Sequence, residues 1–259
     1  MPKRTFAEII RAGRPSLGTW TQITAEECVD MIGAAGLDFT IVDCEHGHFG
    51  IETAERLFRA CDANGLAPIV RAPTNDPVFI GRALDAGASA VLVPQISSPE
   101  DAARAVAATR YAPHGTRGAC PCVRAGGHYM SDWGEMVRQQ ASDTGIIALV
   151  ENRAGLEAVE DIARVEGLLA MMVGPFDLSV ALGHGGNYTH PECQAALERM
   201  LAAAKSASLP VIVPLFNPDP EEARRQQLRW MEKGVRLFAV GSDKILFADA
   251  VRRYARALR

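Results

Sequence analysis

Eight short apolar runs punctuate the chain, and each is followed by a segment whose apolar residues recur at helical spacing. The runs are LGTW, FTIVD, APIVR, SAVLVP, IIALVE, LLAMMVG, PVIVPL and RLFAVG. A strand with one face in water alternates polar and apolar residues; these do not, so both faces are covered, as in a parallel sheet flanked by helices. Eight such units in 259 residues predict an α/β fold, a (β/α)8 TIM barrel with its active site at the C-terminal ends of the strands. No Pro-, Gly- or Ser-rich linker divides the chain, which predicts a single domain over residues 1–259. A lead-in helix is expected from Thr5 to Ala12, Thr24 is expected to cap the next helix, and Ser98 followed by Pro99 marks the start of another.

Charge and cysteine usage narrow the class. The formal net charge is -4, and Lys and Arg are scattered, so there is no basic field for nucleic acid or an anionic membrane. No apolar span is long enough to cross a bilayer, and the N-terminal residues lack an apolar core and cleavage pattern, which predicts a cytoplasmic protein. The six cysteines have no CxxC pairing and read as reduced thiols; Cys120-Pro-Cys122 has no second Cys/His pair nearby at zinc spacing.

Because barrel active sites are built where strands end, the polar residues there form a list with chemical content. Asp43, Glu45, His46 and His48 follow the second run, Arg71 the third and Gln95 the fourth, while Glu151 and Asp177 follow the fifth and sixth. Two carboxylates at neighbouring strand ends would hold Mg²⁺ or Mn²⁺ better than Zn²⁺, since hard oxygen donors leave positions for water and an oxygen-bearing substrate. The alternative is that Glu151 caps a helix and Asp177 sits in a turn. A cation site, an arginine and a histidine together are what enolate chemistry requires: a polarised carbonyl, a partner for developing oxygen charge, and a group that moves a proton. The rhythm breaks between Tyr111 and Thr144, where a Gly/Pro-rich connection carries Arg117, Arg124, His128 and Tyr129; a loop of that size with those residues is read as functional.

The segments IVDCEHG, VRAPTNDPVFIGRALDAGASAVLVPQI, TRYAPHGTRG, VENRAGLEAVEDIARVEGL and GPFDLSVALGHGGN resemble the HpcH/HpaI aldolase family of metal-dependent class II pyruvate aldolases. The resemblance runs from about Leu17 to the C-terminal helix. It implies reversible cleavage of a 4-hydroxy-2-oxo acid to pyruvate and an aldehyde through a metal-bound enolate, in the catabolism of aromatic compounds. It implies Glu151 and Asp177 as ligands of Mg²⁺, Mn²⁺ or Co²⁺, and a seat for the pyruvate carboxylate at Gly174, Pro175, Phe176 and Asp177, beside Trp20. Arg71 would stabilise the enolate oxygen, His46 would relay the proton, and Asp43 and Asp85 would assist that relay. It also implies a homo-oligomer, trimer or hexamer; the apolar C-terminal helix either packs across a subunit boundary or closes its own barrel. Lys205, Lys233 and Lys244 fall on helices or their starts, away from strand ends, which agrees with a metal route over a Schiff base.

The chain departs from the family pattern at Leu149, where many members have Gln, at Thr74, where Trp is frequent, and at Cys44, where Gly is usual. The stretch ACPCVRAGGHYM is its own, and Arg124 and His128 either bind an acidic aldehyde or make structural contacts. Oxaloacetate decarboxylation and β-hydroxyacyl thioester cleavage need the same enolate site and stand as alternatives; a non-catalytic binding barrel is the third. The LGHGGN loop, with no following GK[ST], is not a P-loop.

Overall fold

A computed structural model of the chain describes residues 3–129 and 131–259; Met130, at the end of the ACPCVRAGGHYM stretch, lies outside them. Eight parallel strands close on themselves in sequence order. The strands are β1 (Ser16–Thr21), β2 (Phe39–Asp43), β3 (Ala67–Arg71), β4 (Ala90–Val93), β5 (Ile146–Val150), β6 (Leu168–Val173), β7 (Val211–Leu215) and β8 (Leu237–Ser242). The helices are α1 (Phe6–Ala12), α2 (Glu26–Ala34), α3 (Ile51–Asn64), α4 (Pro77–Asp85), α5 (Pro99–Ala107), α6 (Trp133–Asp143), α7 (Arg153–Glu157), α8 (Val159–Ala163), α9 (Pro175–Ala181), α10 (Pro191–Ser206), α11 (Pro220–Glu232) and α12 (Asp243–Ala257). The expected TIM barrel is therefore the fold.

The apolar runs are continuous because each strand serves two cores. Ile41, Ile69, Leu92, Ile147, Met172 and Ile212 fill the barrel, while Val42, Val70, Val91, Val150 and Val213 turn outward against the helices. α1 closes the barrel floor: Phe6 and Ile9 join the inner core, and Phe6 meets Phe39 edge-on at 5.4 Å between centroids. Thr5 starts this helix with a reciprocal capping box to Glu8. Ser98 caps α5 ahead of Pro99 as expected. Thr24 does not cap α2, whose N-cap is Ala25 with no side-chain bond, because the chain stays extended through Ala25.

α12 is the outlier. It buries no residue, and Phe247 and Tyr254 are 68% and 74% exposed, so much of its apolar side is left bare. No helix among the described residues is long and apolar enough to cross a membrane. All six cysteines are free.

Candidate active site

The strand ends converge as the topology requires. β2 and β3 pair in register so that Asp43 lies opposite Arg71 at their C-terminal ends. Both are buried, and Arg71 grips Asp43 with two bonds, Nε to Oδ1 at 2.8 Å and Nη2 to Oδ2 at 2.6 Å. Its remaining Nη1 lies 2.9 Å from Glu45 Oε2, an ion pair out of line for a hydrogen bond. The guanidinium stacks over the Trp20 ring at 4.4 Å, and the buried Trp20 Nε1–H has no acceptor among the described residues. Asp43 also accepts from Gln22 Nε2 at 2.7 Å and from the N–H groups of Glu45 and His46. Burial raises the Asp43 pKa, but the bonds and charge of Arg71, with Gln22 and the His46 N–H, outweigh it and hold the carboxyl below its ordinary value. Asp43 is thus an anchor for four neighbours, and the exposed His46 ring projects from the turn it pins.

Glu151 is in the opposite electrostatic situation. It is 3% exposed, and its Oε1 accepts from the backbone N–H and side-chain amide of Gln95 at 3.0 and 3.1 Å. Gln95 adopts a left-handed φ of 55° and is held from behind by Asn152 Nδ2 at 3.0 Å. Burial pushes Glu151 up to about 7; the Gln95 N–H opposes this, and Asp177 and Glu45 add to it. Glu45 is raised too, first by burial, against the pull of Arg71 and His46. Four carboxylates, Asp43, Glu45, Glu151 and Asp177, thus share one arginine. This donor set fits a divalent cation: hard oxygens, a surplus of negative charge, and a buried carboxylate with no positive partner. Glu151 does not cap a helix, since Asn152 takes that position for α7. Asp177 lies in the exposed first turn of α9.

Gly174 makes the approach possible. A Cβ there would lie 2.5 Å from Glu151 Cβ and 2.7 Å from its Oε2, so any side chain would displace the carboxylate. The cavity at the mouth, about 60 Å³, is lined by Trp20, Arg71, Leu149, Glu151, Gly174, Pro175, Phe176 and Asp177 among others. Leu149 adds an apolar wall where a polar side chain was the family expectation.

Other expected residues are elsewhere. Asp85 ends α4, and a helix that follows a strand C-terminus ends at the opposite, N-terminal face; there it pairs with the buried Arg117 at 2.6 Å. Arg124 is buried against Asp62 and donates to the Ala86 carbonyl at 2.8 Å, so of its two open roles it has the structural one. The whole 111–129 connection runs between α5 and β5 at that same N-terminal face, away from the mouth. Gln22 and Asn152 were not singled out in the sequence, yet they stand one and two residues past a strand end and orient a mouth carboxylate or its partner.

A family model described as HpcH/HpaI aldolase/citrate lyase matches residues 16–250. The chain belongs to the HpcH/HpaI aldolase/citrate lyase family. It is a carbon–carbon lyase by that membership. It is 35% identical over 254 residues to a 5-keto-4-deoxy-D-glucarate aldolase of Citrobacter koseri, with 98% of this chain and 96% of that protein covered. Among solved structures, an HpcH/HpaI aldolase/citrate lyase family protein of Burkholderia cenocepacia superimposes with a TM-score of 0.88 at 33% identity, covering 98% of each chain. An HpcH/HpaI aldolase of Desulfitobacterium hafniense superimposes with a TM-score of 0.91 at 25% identity, covering 98% of this chain and 96% of that one. The C. koseri relative bears a sugar-acid name, so the expected place in aromatic catabolism gains no support from it.

Proposed function

We propose that the protein is a cytoplasmic, divalent-cation-dependent aldolase that reversibly cleaves a 4-hydroxy-2-oxo acid to pyruvate and an aldehyde. The observation that carries this reading is Glu151, buried beside further carboxylates with no cation of its own. Glu151 and Asp177 would hold Mg²⁺ or Mn²⁺, with Co²⁺ also compatible, and the ion when bound supplies Lewis-acid polarisation of the substrate's keto and carboxylate oxygens. The unbonded N–H groups of the first turn of α9, at Phe176 and Asp177, are suited to the carboxylate, and the Trp20 N–H to a further substrate oxygen. His46 takes the proton from the C4 hydroxyl. The O–H electron pair becomes the aldehyde C=O as the C3–C4 bond breaks, and the charge that collects on the C2 oxygen faces Arg71, already immobilised by Asp43 and Trp20. Protonation at C3 completes pyruvate. Six free thiols fit a reducing compartment.

The relatives support one substrate class. Numbered from its other end, 5-keto-4-deoxy-D-glucarate is a 4-hydroxy-2-oxo diacid, and C3–C4 cleavage gives pyruvate and a hydroxy-aldehyde acid. We infer a substrate of this acidic, polyhydroxylated kind. The bare apolar stripe of α12 supports assembly as a homo-oligomer, trimer or hexamer, in which another copy covers it.

Pyruvate release is measured from a panel of 4-hydroxy-2-oxo acids and oxaloacetate, with Mg²⁺, with Mn²⁺, and after chelation. Pyruvate and aldehyde in equal amounts, lost on chelation, are expected. Turnover that survives complete metal removal would sink the reading, and oxaloacetate turnover alone would make the enzyme a decarboxylase.

A further inference from the structure

Away from the mouth, the loop between α9 and α10 gathers a second set of ligating side chains. His184, His190 and Glu192 each offer a donor atom, and these atoms all lie within 4.8 Å of one another. The two imidazoles are stacked at 3.6 Å with planes 19° apart. Neutral imidazole is a common metal ligand. His184 Nε2 lies 2.8 Å from Glu192 Oε2, and the hydrogen bond and charge of His184 hold the Glu192 carboxyl below its ordinary value. His190 caps α10 through Nδ1, which accepts the Glu192 N–H at a long 3.3 Å.

The loop that carries them is held by its own bonds. The His184 N–H donates to Ser179 O, the Asn187 N–H to His184 O and the His190 N–H to Asn187 O, while Gln194 Nε2 reaches Tyr188 O at 2.7 Å. Its glycines Gly183, Gly185 and Gly186 take left-handed φ values of 91°, 57° and 92°, so the chain can double back and bring His184 over His190.

We propose that His184, His190 and Glu192 form a second cation site, selective for a late first-row ion such as Zn²⁺ and separate from the all-oxygen site at the mouth. Two imidazoles and a carboxylate with an open fourth position are a Zn²⁺ donor set, whereas Mg²⁺ disfavours imidazole. Metal entry replaces the proton between His184 and Glu192, which leaves to solvent or moves to the distal ring nitrogen. The site bears on the mouth through packing. A Cβ on Gly186 would lie 2.8 Å from Phe176 Cε2, so the loop backs directly onto the ring that walls the cavity next to Asp177. Occupancy therefore braces Phe176 from behind.

The test uses the full chain carrying Glu151→Gln and Asp177→Asn, so that the two proposed ligand carboxylates of the mouth are gone. It is titrated with Zn²⁺ in a calorimeter under excess Mg²⁺. One equivalent of Zn²⁺ is expected to bind and to raise Tm. His184→Ala, and His190→Asn, which keeps a capping acceptor, are each expected to weaken binding by about 100-fold, at least the upper end of the loss from removing an outer-shell partner. No Zn²⁺ uptake, or uptake unchanged in His184→Ala, would overturn the site and leave the trio as a helix cap. Among the described residues the His184 ring is hydrogen-bonded to Glu192 and stacked on His190 alone, so His184→Ala keeps the test valid should His190→Asn fail to fold.

Discussion

The two ends of the barrel treat buried charge in opposite ways. At the N-terminal face Arg117 pairs with Asp85 and Arg124 with Asp62, one arginine to one carboxylate. At the mouth Arg71 alone faces Asp43, Glu45, Glu151 and Asp177. Balanced pairs lock the connection between α5 and β5 to the helix ends beneath it. The unbalanced set does the reverse: it spends folding stability on a surplus of negative charge, in a site that the proposed cation and substrate would complete. Charge imbalance therefore separates the face that reacts from the face that holds.

The comparison breaks most visibly at Glu151. Glu151→Gln is expected to lower cation-dependent pyruvate release by more than about 100-fold, while the metal-free protein melts no lower than wild type because an unpaired buried carboxylate is gone. Calorimetry and a coupled pyruvate assay on the same preparation measure both; a large fall in Tm without metal would show that Glu151 is structurally satisfied. Arg71→Lys is expected to cost about 10²–10³-fold in kcat, since an ammonium cannot reproduce the two-pronged grip on Asp43 and still face substrate. At the opposite face Asp62→Ala is expected to cost about 3 kcal/mol of stability by stranding Arg124, with kcat per folded molecule unchanged, as denaturant unfolding and active-site titration would read.

The smallest effect is an acid limb. Burial raises the pKa of Asp38, but the Leu17 N–H together with Arg14 and Arg4 bring it below its ordinary value. A depressed carboxyl contributes stability above its unfolded pKa of about 3.9, and that contribution is lost as pH falls through the folded value. Tm measured between neutral pH and strong acid is expected to fall less steeply in Asp38→Asn than in wild type; parallel curves would remove Asp38 from the acid response.

Much of this contrast was legible in the chain. FTIVD and APIVR are strands with the ends read from sequence, because central parallel strands are unbroken apolar runs, and the strand-end rule then placed Asp43, Arg71 and Glu151 at one mouth. α9 was missed since GPFDLS opens with helix-breaking residues and the helix is one of the shortest. The role of Arg124 stayed open for want of periodicity in its loop, although the topology gives its place: a connection from helix to strand runs at the face away from the mouth. The meeting of His184 with His190 depends on three left-handed glycines, and no spacing rule announces it.

The floor that α1 lays across the barrel makes the catalytic cavity a blind well. Both products must leave by the opening through which the substrate came. Under the proposed function, pyruvate held at Arg71 and Glu151 would be the last to depart, and the aldehyde would have to clear the rim first. In reverse, the proposed condensation would be ordered, pyruvate binding ahead of the aldehyde, a sequence that product-inhibition patterns report directly.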